Sequence, residues 1–537
     1  MPYLKNIPDH LFQKISKVLF VLSLGLLLYP ILTNHWLVTG DGPCHMYNAK
    51  VLKDLFFGQH ADFYLDFYKV NTSLNPNLWD HFLFAVLQTL LSPFLAEKVF
   101  FILYIFTFAF GAKYLCNTIQ SGSNWAVIPV LLFAYHHLMI KGFLNYSWSL
   151  AASFWVIGYF IAHWHQLNQW KTALKLCFLI TANYLMHPIG YVYAAAGIGF
   201  STLVLMIQPL IREEAKNLLI GQTKKILSLA VILIPSVFLY ISFMAKTDFS
   251  KSLNWDGLVR VNSLATIVQE EVYYSYFIAK LVVVALFIGI LVRIFRGPLL
   301  HKGDGLLLLA FFFVFLFHAN LIDEGMIGGD RLKFLPHIAV LFWLTTLRHH
   351  VWSKLLIMCT GFIFLIILSF VRYPVYKEAS EWVDDYLECE KYIEPKSKIL
   401  TINYEYNGNR SDGTLISTYN WLFIHGTAYL GTFKPLILSD NYQAHMSWFP
   451  LNWKENRINF YSSTHKDEIS FENRPPRADF EHYAEKSGKG PIEYVLIIGQ
   501  NEEHKNHEYG KEIISQLEKY DLICTSESQK SQLYRLK

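Results

Sequence analysis

Long apolar runs separated by short polar connections recur from Val18 to Val371, and from Tyr373 onward the chain turns rich in Lys, Glu, Asp, Asn and Ser. A helix needs about 20 apolar residues to cross a hydrocarbon layer, and its backbone amides must be satisfied within the segment, so each run reads as a helix. The pattern predicts about eleven spans. They are Val18–Thr33, Lys98–Leu115, Trp125–Leu138, Trp148–His163, Thr172–Met186, Gly190–Gln208, Ile226–Met244, Phe277–Ile294, Gly305–Leu321, Phe334–Thr346 and Leu355–Phe370. One further stretch, Trp79–Phe94, carries Asp80, His81 and Gln88 and meets Pro93. It predicts an amphipathic helix lying on the outer membrane surface. The expected fold is a multi-pass α-helical membrane protein with a small α/β soluble domain at its C-terminus. Residues 1–372 form the transmembrane domain, with a long first outer loop over 34–97, and residues 373–537 the extracytoplasmic domain.

The first run follows Lys5, Lys14 and Lys17 as a signal peptide's would, but no small-residue cleavage site comes after it, so it reads as a retained span. Short cytoplasmic loops carry an excess of Lys and Arg. With the N-terminus inside, alternate loops hold Lys113; Lys171 and Lys175; Arg212, Lys216, Lys224 and Lys225; Arg293, Arg296 and Lys302; Arg348 and Lys354. An odd number of spans then puts the C-terminal domain outside. Within that domain the pattern predicts a helix over Glu378–Ile393 stopped by Pro395, and strands at Lys398–Asn403 and Tyr494–Gly499. A helix over Lys511–Tyr520 and a closing hairpin of Leu522–Thr525 and Gln532–Leu536 follow. The segment Tyr419–Tyr461 is dense in aromatics, among them Trp421, His425, Tyr429, Tyr442, Trp448 and Trp453. These can stack on sugar rings, but a domain core is the preferred reading.

Of the 537 residues only 16% are charged, against about 25% in soluble domains. The net charge of +4 is small and dispersed, which argues against a nucleic-acid partner. Six cysteines show no CxxC pair or His/Cys spacing, so no zinc motif is read. Cys389 and Cys524 either pair on an oxidising side or stay as thiols. No GxGxxG, Walker or GxSxG pattern occurs.

Candidate chemistry gathers after the first span, in Thr39-Gly40-Asp41-Gly42-Pro43-Cys44-His45. A carboxylate at the mouth of a helical bundle, partly shielded from water, can accept a proton from an attacking hydroxyl. The competing reading is that Asp41 caps the helix starting near Pro43, and the sequence leaves both open. Two cations, Arg331 after Gly328-Gly329-Asp330 and Lys141, stand at the outer ends of spans, where an anion could be held. Either cation can instead snorkel to the interface. His45, Asp80, His81, Asn145 and His187 are the remaining candidates for substrate contact, although a His before Pro, as at His187-Pro188, more often caps or packs.

The membrane part resembles the GT-C superfamily of glycosyltransferases, which includes protein mannosyltransferases, aminoarabinose transferases and oligosaccharyltransferases. The resemblance rests on Asp41 just past the first span, on the helix from Pro43, and on Asn75-Pro76-Asn77-Leu78-Trp79-Asp80-His81-Phe82-Leu83 leading into a surface helix. The second-loop stretch His136-His137-Leu138-Met139-Ile140-Lys141-Gly142-Phe143-Leu144-Asn145-Tyr146 completes it. The resemblance implies inverting transfer of a sugar from a polyprenyl-phosphate carrier to a glycan, lipid or protein acceptor on the outer face, with Asp41 as general base and with Arg331 and Lys141 holding the donor phosphate as charge gathers on it. It also implies a bacterial inner membrane, with the C-terminal domain in the periplasm. Two departures matter. Gly42 follows Asp41 where many members have a second acid, and the second loop lacks Asp-x-Asp, so no divalent metal and no cofactor is expected. The rival readings are a carrier or flippase for a lipid-linked glycan and a non-catalytic envelope assembly protein.

Overall fold

The computed structural model describes residues 8–211, 215–246, 272–296, 300–319, 331–418, 420–460 and 476–537. Among them six helices are long and apolar enough to cross a membrane: Asp9–Thr33, Pro93–Ile119, Pro188–Pro209, Gly221–Met244, Tyr276–Phe295 and Val351–Tyr392. Exposed side chains on these helices, such as Val21, Leu22, Phe238, Phe287 and Phe370, are apolar, as an acyl-chain environment requires. The chain is an integral membrane protein.

Four further expected spans are helices with other bounds: Leu144–His163, Trp170–Met186, Gly305–Ala319 and Leu335–Leu344. Trp125–Leu138 is not one helix. A 3-10 turn at Ser123–Ala126, a single turn of α-helix at Val127–Leu131 and a separate helix from His137 replace it. Residues 125–138 are buried throughout, so protein groups rather than lipid surround the irregular backbone. The helix expected over Glu378–Ile393 is the end of a longer one, Val351–Leu387, which runs through Pro374 and closes in a 3-10 turn at Glu388–Tyr392.

The chain forms two compact units. Residues 1–29, 102–139 and 144–373 make the first; residues 30–101, 140–143 and 374–537 make the second. The long first loop, expected to belong with the membrane part, thus clusters with the C-terminal part. In the first unit small residues let helices approach closely: a Cβ on Gly190 would lie 2.2 Å from Ser149 Oγ, and one on Gly305 2.7 Å from the Ser201 backbone.

The second unit contains strands β1 (Tyr68–Val70), β2 (Ser397–Asn403), β3 (Leu436–Leu438), β4 (Leu451–Trp453), β5 (Tyr494–Ile498), β6 (Tyr520–Thr525) and β7 (Ser531–Leu536). Five of them form a sheet of order β3-β2-β5-β7-β6. β2 runs parallel to β3 and β5, while β7 is antiparallel to β5 and β6. All seven positions of β2 and all five of β5 are buried, as expected of central parallel strands. One sheet face packs Leu400, Ile402, Val495 and Ile497 against Phe480, Ile513 and Leu517.

Side-chain bonding explains why the first loop belongs here. The buried Tyr47 hydroxyl donates to Leu436 O at 2.8 Å, and Asn441 Nδ2 donates to Asn48 Oδ1 at 2.7 Å. β1 pairs antiparallel with β4, with the Tyr68 and Trp453 rings stacked at 4.6 Å. Tyr429 donates to the buried Glu97 carboxylate, whose other oxygen accepts from Leu37 N at 3.0 Å. Cys389 and Cys524 form a disulfide with their Cα atoms 5.9 Å apart, fastening the turn after the long helix to β6.

Candidate active site

Asp41 stands where the chain turns into the helix Gly42–Phe56, with Pro43 in the first turn. It occupies the N-cap position, yet its side chain makes no bond to the helix amides, so the capping reading is set aside by geometry. Its backbone is held instead. Gly40 N donates to Ile140 O and Asp41 N to Lys141 O, each at 3.0 Å, and His45 N donates to Asp41 O at 3.2 Å. Gly142 makes the clamp possible: its φ is +89°, and a Cβ there would lie 2.3 Å from Asp41 N.

Opposite the carboxylate stand residues from the aromatic segment. His425 Nε2 lies 3.7 Å from Asp41 Oδ1, near but outside hydrogen-bond range, and its ring stacks on Tyr442 at 4.4 Å. Burial, aided by the positive charge of His45, pushes the His425 imidazole down to about 3, so it is neutral near pH 7. The Tyr442 phenol is driven up first by burial and then by the Asp41 charge. Behind them Asp440, just past β3, is buried, and burial pushes its carboxyl up to about 7. The buried Cys44 thiol is raised by desolvation, and then by the charges of Asp440 and Asp41.

One turn along the helix, His45 Nδ1 lies 2.8 Å from Asp80 Oδ2, and His81 Nδ1 lies 2.7 Å from Asp80 Oδ1. All three side chains are buried, Asp80 completely. Burial opposes ionisation of both His45 and Asp80, but their mutual attraction prevails: the imidazole is raised and the carboxyl held below the usual range. The helix Trp79–Leu90 delivers this pair with its polar face inward, because Asp80, His81, Phe84 and Gln88 are buried. Phe82, Val86 and Leu90 point outward, 61%, 43% and 80% exposed, the reverse of a soluble helix and suited to a lipid surface. Gln88 Nε2 donates to Met46 O at 3.0 Å, tying this helix to Gly42–Phe56.

Of the residues singled out from sequence, Asp41, His45, Asp80, His81 and Lys141 come together in the second unit. Lys141 contributes its carbonyl to the clamp and its side chain is half-buried. Asn145, His187 and Arg331 lie in the first unit. There Tyr146 donates to Arg331 O at 2.7 Å and meets the His187 ring edge-on at 5.2 Å. His187 Nδ1 accepts from Ile189 N at 3.1 Å, which is a capping contact at its helix start. The Gly328-Gly329-Asp330 turn lies outside the described residues. Sequence reading missed Asp440 and Gln443 altogether, and took His425 and Tyr442 for core. The signal for these two was their place in an aromatic-rich stretch of an otherwise ordinary domain.

Among the described residues, His45, Asp80 and His81 are a group able to hold a metal ion, with ligand atoms all within 4.8 Å of one another. Sequence spacing could not reveal it, since two ligands are adjacent and the third is far upstream.

No family model matches the chain, and no curated protein sequence matches it. Among solved structures it is similar to ArnT from Cupriavidus metallidurans bound to undecaprenyl phosphate, at 11% identity and a TM-score of 0.40, over 98% of this chain and 97% of that one. It is also similar to the Archaeoglobus fulgidus oligosaccharyltransferase in complex with Zn and sulfate, at 12% identity and a TM-score of 0.40, over 97% of this chain and 73% of that one.

Proposed function

We propose that the protein is an inverting, GT-C-like glycosyltransferase that moves a sugar from a polyprenyl-phosphate carrier to a cell-envelope or secreted acceptor on the outer face of a bacterial inner membrane. The observation that carries this reading is the Asp41 carboxylate, fixed by its backbone and making no capping bond to the helix it precedes. A carboxylate placed this way can take the proton of an acceptor hydroxyl as that oxygen attacks the sugar C1. The C1–O bond to phosphate breaks, and its electron pair leaves with the polyprenyl phosphate. Lys141, beside Asp41 in the chain fold, supplies positive charge for the departing phosphate. Neutral His425 and Tyr442 form an aromatic wall against which a sugar face can lie. The displacement is drawn with no metal at the reacting atoms. The Cys389–Cys524 disulfide supports an oxidising compartment for the C-terminal domain.

The test compares wild-type membranes with Asp41→Asn, using a radiolabelled polyprenyl-phosphate sugar and thin-layer separation of the products. Loss of a general base lowers turnover by about 10² to 10⁴. An unchanged rate in a well-folded variant removes Asp41 as the base, and no transfer by wild type favours the carrier or assembly readings.

A further inference from the structure

We infer that His45, Asp80 and His81 form a binding site for one divalent transition-metal ion, with zinc the best match, which staples the helix Gly42–Phe56 to the helix Trp79–Leu90. Two imidazoles and one carboxylate are a ligand set that zinc prefers, whereas Mg²⁺ and Ca²⁺ favour oxygen alone. The three side chains are 4%, 0% and 1% exposed, so bulk water does not solvate them. Their ligand atoms lie within 4.8 Å of one another, so modest side-chain rotations bring them to the spacing of about 3.4 Å set by a tetrahedral ion about 2.1 Å from each.

A second observation points to a ligand. His45 Nδ1 and His81 Nδ1 both converge on the Asp80 carboxylate, at 2.8 and 2.7 Å, as ligand atoms around one ion do. His81 Nε2 is buried as well, with no hydrogen-bond partner among the described residues. A buried imidazole nitrogen without a partner is disfavoured, and an ion gives it something to bind. Asp80 reaches the cluster because it opens its helix: Asp80 Oδ1 accepts from His81 N at 2.7 Å, folding the carboxylate onto its neighbour's side.

The surroundings fit a bound ion. His45 Nε2 lies 3.0 Å from the Gln443 amide nitrogen, and Gln443 Oε1 accepts from Asn48 Nδ2 at 2.8 Å. With Nδ1 on the metal, His45 carries its hydrogen on Nε2. A half-turn of the Gln443, Asn48 and Asn441 amides then presents oxygen to it and keeps the Gln443–Asn48 and Asn48–Asn441 pairs matched. Asp41 is not among the ligands, so the ion holds the two helices and takes no part in displacement.

The experiment uses full-length protein in detergent, stripped with a chelator, dialysed, and titrated with ZnCl₂. Bound metal is measured by elemental mass spectrometry and the unfolding midpoint by intrinsic fluorescence. The expected result is one zinc per chain, a raised midpoint, and an X-ray absorption edge showing a nitrogen and oxygen shell without sulfur. His81→Gln weakens binding by at least about ten- to a hundredfold, since losing a direct ligand costs no less than losing its outer partner. A parallel variant, His35→Gln, leaves binding unchanged. The inference is overturned if stripped wild type takes up no zinc, if the shell contains sulfur, or if His81→Gln binds as wild type does. None of these readouts requires sugar transfer, so they stand apart from the proposed activity.

Discussion

Gly142→Ala tests whether Asp41 is held in place by its neighbouring loop. Glycine there has φ +89°, and an added Cβ would lie 2.3 Å from Asp41 N, 2.7 Å from Gly42 N and 2.8 Å from Asp41 Cα. Ordinary contact begins near 3.4 Å, so the Asp41 turn must retreat by about 1 Å from the methyl group. The backbone conformation costs a further 1 to 2 kcal/mol or so for a residue with a Cβ. Displacing a reacting group by that distance lowers turnover by about 10², equivalent to about 2.7 kcal/mol of barrier. Stability alone could lower activity, so Gly413→Ala serves as the comparison: its φ is +81° and nothing lies within 4 Å of the added atom. Both variants carry the same kind of backbone penalty, but only Gly142→Ala pushes on Asp41. Turnover is measured at saturating lipid-linked donor in reconstituted vesicles, with the unfolding midpoint recorded for each variant. If Gly142→Ala turns over as fast as Gly413→Ala, the placement of Asp41 has no bearing on the reaction, and the assignment of the base fails.

Asp440 bears on pH dependence. Its carboxyl titrates at about 7 when folded and near 3.9 when unfolded. The folded state therefore keeps its proton where the unfolded state has lost it, and stability declines as pH rises from about 4 to 7, by up to about 4 kcal/mol, then levels. Asp440→Asn should flatten that slope in denaturant titrations across this range; parallel curves would contradict the burial argument. His425 acts with the opposite sign. It stays neutral in the fold down to about 3 while the unfolded imidazole protonates below about 6.5, so stability is lost as pH falls through that window. His425→Gln should therefore lose less stability than wild type between pH 7 and 5. Removing the Cys389–Cys524 bridge by Cys389→Ser opens a loop with a sequence separation of 135 residues and should cost about 2 to 5 kcal/mol. Thiol labelling of denatured wild type should find four reactive cysteines, since Cys44, Cys116, Cys177 and Cys359 are free.

The elements legible in the sequence are those whose signal is local. β2 and β5 read as buried apolar runs, and β6 with β7 as a hairpin, because each strand's pattern is complete within about six residues. β3 was not legible, since Leu436–Leu438 is three residues long and gains its meaning only from pairing with Ser397–Ile399. The same holds for β1 and β4, whose registers depend on each other. Trp125–Leu138 misled for the opposite reason. Its composition suits a lipid-embedded helix, but burial among other helices supplies the backbone's polar partners and permits a break. Asp41 was visible as an acid after a span, while the role proposed for it turns on two facts that no local pattern encodes: that its side chain makes no capping bond, and which carbonyl its own amide bonds. The second depends on Gly142, whose positive φ brings the Lys141 carbonyl to the Asp41 amide. A glycine at this loop is thus part of the site although it carries no chemistry, and the aromatic wall facing Asp41 belongs to a segment that the sequence presents as ordinary core. Position along the chain identifies the acid; only the close approach of two backbones fixes where its carboxylate stands.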